Sequence, residues 1–225
     1  GFRLFWLAPL IVAIVVVPEF IQHIAEIRIG MFESEAAFNR LAADPRRMIW
    51  GYFKIAGLIL CIMAASRYWA ARMRGQNWWD MRHIAWKNLG IAIGLILLTG
   101  LPVELVEPTL GERSALYVGL IVSLLTLPLI ALFVAGLVGD RDIGLVSVFK
   151  TGWLTALRIV VFAALVWIPL QTLHTANHDW AMGQTDPVVW ALMAFDALVV
   201  GALAGLTGTA FHHAYEARRS KDISI

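Results

Sequence analysis

Six stretches of this sequence are each long and apolar enough to cross a lipid bilayer. A hydrocarbon core about 30 Å thick takes about 20 apolar residues per helix, and a helix satisfies its own backbone hydrogen bonds there. The stretches lie at about 4–24, 48–66, 89–107, 116–138, 152–173 and 187–211. They leave a chain of 225 residues that is 60% hydrophobic and 15% charged. A water-soluble domain carries about 45–50% and about 25%. That excludes a disordered regulator, a secreted disulfide scaffold and an ordinary soluble enzyme. The expected fold class is all-α: a polytopic membrane protein, one six-helix transmembrane domain over residues 1–225.

Orientation follows from the loops that hold Lys and Arg. Arg67, Arg72, Arg74, Arg82 and Lys87 fall between the second and third stretches, and Arg141 and Lys150 between the fourth and fifth. Arg218, Arg219 and Lys221 follow the sixth, and Arg3 precedes the first. The third-to-fourth loop sets Glu107 and Glu112 against Arg113, and the fifth-to-sixth holds Asp179 and Asp186 without Lys or Arg. This alternation predicts both termini inside, in a bacterial inner membrane. The first stretch ends in Pro18-Glu19-Phe20 with no small-x-small cleavage site, so it is expected to be a retained helix. Tryptophans gather at both ends of the stretches, and 76–86, with Trp78, Trp79 and Trp86, predicts a short helix in the inner interface. Lys+Arg 18 against Asp+Glu 16 gives no basic surplus for nucleic acid, so the expected partners are membrane lipids and other membrane subunits.

Lipid is as apolar as leucine, so helices associate in it through small residues that allow close approach. Gly90 and Gly94, and Gly201 and Gly205, are the expected packing pairs. Pro18, Pro102, Pro128 and Pro169 mark expected kinks.

The polar residues inside the stretches carry the functional signal, since each charge there costs about 2.5–3.5 kcal/mol. Glu19, Gln22, His23 and Glu26 stand at i, i+3, i+4 and i+7, on one helix face. Lys54 lies about 9 Å and Asp196 about 13 Å into their helices. Glu19, His23, Lys54, Glu104, His174 and Asp196 fall in the outer half of the expected topology although they come from five helices. A shared polar cluster opening outward follows, with an Asp196–Lys54 ion pair as its simplest bond. Glu19, His23, Glu104 and His174 are also close enough to helix ends to reach headgroups singly.

Three constructions use these residues. One is a proton or ion path through the cluster. A second is zinc at His174 and His178, spaced i, i+4, with His23, Glu19 or Glu26. A third pairs His23 with His174, and His83 with His212 or His213, around two haem b groups. No metal centre or cofactor is expected from the spacing alone. No Gly-x-Ser-x-Gly, phosphate loop, Cys-x-x-Cys or His-Glu-x-x-His occurs, so no catalytic residue is expected.

Leu127-Pro128-Leu129 leads through Gly139-Asp140-Arg141-Asp142 to Val148-Phe149-Lys150-Thr151-Gly152-Trp153 and a further proline-bearing stretch. Over about 115–215 this resembles the YciC-type bacterial inner-membrane proteins, and the multi-span domain attached to some glycerophosphodiester phosphodiesterases. The resemblance implies six spans and a role in membrane organisation or lipid handling, and it carries over no catalytic residue. The expectation is therefore a lipid-associated accessory or interaction protein without catalysis of its own. A small transporter or ion-coupled carrier is the alternative, and a di-haem b-type cytochrome the second.

Overall fold

The computed structural model describes residues 2–222, with side chains for all of these except 102–107, 110 and 218–222. The chain is 83% helix, with no strand among the described residues. Its helices are α1 (Leu4–Leu7), α2 (Pro9–Arg28), α3 (Glu35–Leu41), α4 (Pro45–Met73) and α5 (Trp86–Leu110). There follow α6 (Glu112–Leu125), α7 (Pro128–Val138), α8 (Leu145–Thr151), α9 (Trp153–Ala181) and α10 (Asp186–Asp222). Helices α2, α4, α9 and α10 are long and apolar enough to cross a membrane. Helices α6 and α7, bent by 53° at their junction, make a fifth crossing if taken together. Large apolar side chains such as Leu97, Leu124, Leu165 and Ile168 stand exposed, as lipid-facing residues do. This is the architecture of a multi-pass membrane protein.

Several expectations need correction. The fourth stretch is not one straight helix. Pro128 has no N–H to continue the ladder, and the Thr126 hydroxyl donates back to the Val122 carbonyl at 2.6 Å, so α6 ends and α7 restarts at the proline. The interfacial helix over 76–86 does not form. Gly75, at φ +64°, closes α4, and the Asp80 carboxylate accepts from the Arg82 backbone N–H and guanidinium. That local turn competes with a helix, leaving a single 3₁₀ turn, Met81–His83.

The chain divides into two compact units. The first comprises Gly1–Ala65 and Ala163–Ala210. Here α10 packs on α1 and α2 at Gly201 and Gly205, where an added Cβ would meet Val16, Val12 and Leu4. These two glycines pack helices as expected. Gly57 brings α4 against α2 at the proline: a Cβ there would lie 2.6 Å from the Ile14 carbonyl oxygen and 3.0 Å from Pro18 Cγ. Ile14 is the residue whose carbonyl Pro18 leaves without its i+4 donor.

The second unit comprises Ser66–Phe162 and Phe211–Ile225. Leu129, Leu132, Ala135 and Val138 of α7 pack in one core with Ala92, Val148, Ile159 and Tyr215. Among the described residues, Gly90 and Gly94 pack against no other helix. Leu89 and Ala92 form the buried face of α5, and nothing lies within 4 Å of a Cβ added at either glycine. The C-terminal end of α7, closed by Gly139 in the left-handed region, gathers donors for its free carbonyls. Arg67 donates to the Leu137 and Asp80 carbonyls, and Arg74 to the Val138 carbonyl. Asn88 donates to the Asp140 and Ile143 carbonyls, and the Tyr215 hydroxyl to the Asp140 carboxylate at 2.8 Å.

Candidate functional site

The site lies within the first unit. Helix α2 supplies Glu19, Gln22, His23 and Glu26 from one face, and all four are buried. Its apolar run fixes the other faces, so the polar stripe turns inward, where each member must find a partner. Helix α9 brings His174, Asn177 and His178, again at i, i+3 and i+4, and α10 brings Asp196. Helix α4 adds Arg47 and Lys54.

Asp196, wholly buried, is the hub. Its Oδ2 lies 2.7 Å from His174 Nδ1, 3.0 Å from His23 Nε2 and 3.6 Å from His178 Nε2. Its Oδ1 accepts from Asn177 Nδ2 at 2.8 Å. His23 Nε2 also lies 3.2 Å from Glu19 Oε1, and His23 Nδ1 lies 2.8 Å from Glu26 Oε2. Glu26 Oε1 accepts from Gln22 at 2.8 Å and from Arg47 at 2.7 Å, while Lys54 Nζ donates to Glu19 Oε1 at 2.9 Å.

Phe32 and Phe38 flank the His178 ring at centroid distances of 5.7 and 6.0 Å. Phe38 is set by α3, which the Ser34 hydroxyl caps by accepting from the Ala37 N–H, and Phe32 lies in the turn before it. Four members are left with buried polar atoms that have no hydrogen-bond partner: Glu19 Oε2, Gln22 Oε1, Asn177 Oδ1 and both ring nitrogens of His178. Unlike a surface group, each such atom costs about 1–3 kcal/mol.

Of the six residues expected to form the cluster, Glu19, His23, Lys54, His174 and Asp196 come together, while the Glu104 side chain lies outside the described residues. Lys54 pairs with Glu19 and not with Asp196, whose acceptor sites the histidines and Asn177 take. Glu26 was legible from its helix face, whereas nothing in the sequence marked Asn177. Among the described residues, two groupings could hold a metal ion: His23, His178 and Asp196, and Glu19, His174 and Asp196. In each, the ligand atoms lie within 4.8 Å of one another.

Haem does not fit. His23 and His174 converge on one Asp196 oxygen, leaving no gap for a macrocycle between their rings. On the other proposed pair, His83 lies by Asp80, His212 by Met73 Sδ and His213 by Trp69. No family model, curated protein or solved structure matches this chain.

Proposed function

We propose that this chain is a bacterial inner-membrane protein that captures an inorganic cation at a buried site in its outer half, as a small carrier. The carrying observation is the composition of the cluster around Asp196. Three carboxylates, Glu19, Glu26 and Asp196, face two fixed cations, Lys54 and Arg47, and the uncharged-capable remainder is imidazole and amide. With His23 neutral, one negative charge is in excess, beside the partnerless Glu19 Oε2, Gln22 Oε1 and Asn177 Oδ1. A cation satisfies both conditions.

A purely structural role explains the cluster less well. Buried ion pairs are often no better than apolar packing, and replacing them by well-packed apolar residues is neutral or stabilising by about 1–4 kcal/mol. Six crossings are part of the proposal, with α5 as the third, the bent α6–α7 pair as the fourth and both termini on the cytoplasmic side, as the distribution of basic residues supports. The site needs no catalysis of its own.

Thermal unfolding of the purified protein in lipid nanodiscs, with alkali, alkaline-earth and first-row divalent chlorides in turn, tests the reading. A ligand at 100 times its Kd stabilises by about 2.7 kcal/mol. At least one cation raises the midpoint, and Asp196→Asn removes that response and the flux of the same ion into proteoliposomes. If no cation moves the midpoint the reading fails. Binding without flux removes the carrier role.

A further inference from the structure

Around Asp196 the His23, His174 and Asn177 contacts have hydrogen-bond lengths, and the His178 contact does not. The 3.6 Å separation of His178 Nε2 from Asp196 Oδ2 is too long for a hydrogen bond. It is the right length for two ligands of one ion: metal–nitrogen and metal–oxygen bonds near 2.1 Å at a tetrahedral centre set ligand pairs roughly 3.4 Å apart. The His23 and His174 contacts with the same oxygen, at 3.0 and 2.7 Å, would have to open by roughly 0.4 and 0.7 Å to match that spacing. His178 is 8% exposed, and among the described residues neither ring nitrogen has a hydrogen-bond partner, so a lone pair is available 3.6 Å from the same oxygen.

The surroundings orient these atoms as the outer groups of a metal site do. Glu26 engages His23 Nδ1, which leaves Nε2 facing the centre. Asn177 occupies Asp196 Oδ1, which leaves Oδ2 facing it. Gln22 and Arg47 hold Glu26 in turn, so the orienting carboxylate is itself fixed. Without an ion, only a doubly protonated His23 donates to Glu26 and to Asp196 at once; the neutral tautomer that donates to Glu26 sets its Nε2 lone pair against oxygens of Asp196 and Glu19.

From this geometry we infer that the site binds one divalent first-row transition-metal ion of the zinc type, ligated by His23 Nε2, His178 Nε2 and Asp196 Oδ2. The inference rests on the cation reading above and names the class of ion. Imidazole-rich sets suit zinc, copper, nickel and iron, whereas calcium and magnesium call for six or more oxygens. One ion is favoured over two, because a second divalent charge has no carboxylate left to offset it. Lys54 and Glu19 form the neighbouring pair, with Lys54 part-exposed and able to withdraw as the ion's charge arrives.

The test uses the full chain in nanodiscs, stripped with chelator, freed of any polyhistidine tag and loaded with Zn²⁺ or Co²⁺ alone. Expected are one Zn²⁺ retained per chain on dialysis and an intense tetrahedral Co²⁺ visible spectrum that Zn²⁺ displaces. Both disappear in His178→Ala and in the near-isosteric Asp196→Asn, and Glu26→Gln weakens Zn²⁺ binding about 10–100-fold. His213→Ala leaves both unchanged. Should Na⁺ or Ca²⁺ stabilise the protein through Asp196 while Co²⁺ gives no such spectrum, the zinc-type assignment falls and the cation reading stands. If no ion binds, both fall. Zn²⁺ retention that survives His178→Ala and Asp196→Asn overturns the assignment.

Discussion

The two units bury polar groups in opposite ways. In the second, side chains meet backbone: Arg67 and Arg74 donate to carbonyls at the end of α7, and Asn88 to those that follow. A helix end leaves four carbonyls without partners and carries partial negative charge, so cations there complete the fold itself. In the first unit, side chain meets side chain across α2, α4, α9 and α10, and no helix end needs them. Burial alone therefore does not mark function. What separates the two is whether the backbone explains the polar group.

The largest expected effect breaks the comparison at the hub. Asp196→Ala leaves His23 and His174 without their shared carboxylate and is expected to cost about 3–5 kcal/mol, read from unfolding in detergent, together with all cation response. Arg67→Met is the counterpart in the second unit. Losing its carbonyl contacts is expected to cost about 1.5–3 kcal/mol, while the cation-induced shift of the midpoint stays as in the parent. If Arg67→Met abolished cation binding, the division of roles between the units would be wrong.

Gly57→Val comes next, at about 1–3 kcal/mol of overpacking against the Ile14 carbonyl and Pro18. It should weaken the Lys54–Glu19 pair from a distance, so adding Lys54→Met should cost less in the Gly57→Val background than in the parent. Additive losses would show the two to be independent.

The smallest effect is at the start of α4, outside the cluster. The Arg46 guanidinium beside Asp44 holds its carboxyl at about 2, and Asp44 Oδ1 accepts from the Arg46 N–H. A carboxyl lowered on folding stabilises fully above its ordinary value of 3.8, and the contribution fades as pH falls through about 2. The Arg46 amide should stay protected from exchange at pH 4 and lose that protection near pH 2. Protection unchanged by Asp44→Ala would refute the cap.

Most of the helices were legible because apolar length alone decides them. The face at Glu19, Gln22, His23 and Glu26 was legible too, since helical spacing needs no tertiary knowledge. Three features were not. The partner of Lys54 depends on where α4 crosses α2, which Gly57 decides and no spacing rule announces. Gly90 and Gly94 have the spacing of a packing pair, but the buried side of α5 is set by Leu89 and Ala92. The segment at 76–86 reads as amphipathic until Asp80 turns its carboxylate onto Arg82. In each case a specific contact overrode a pattern.

The meeting of Pro18 with Gly57 carries a consequence for how the sequence can drift. Neither residue is ionisable and neither reaches an ion, yet together they fix the depth at which an amine meets a carboxylate. Random substitution should therefore find this chain unforgiving at a bare, uncharged contact too, where a single added methyl group would sit 2.6 Å from a backbone oxygen.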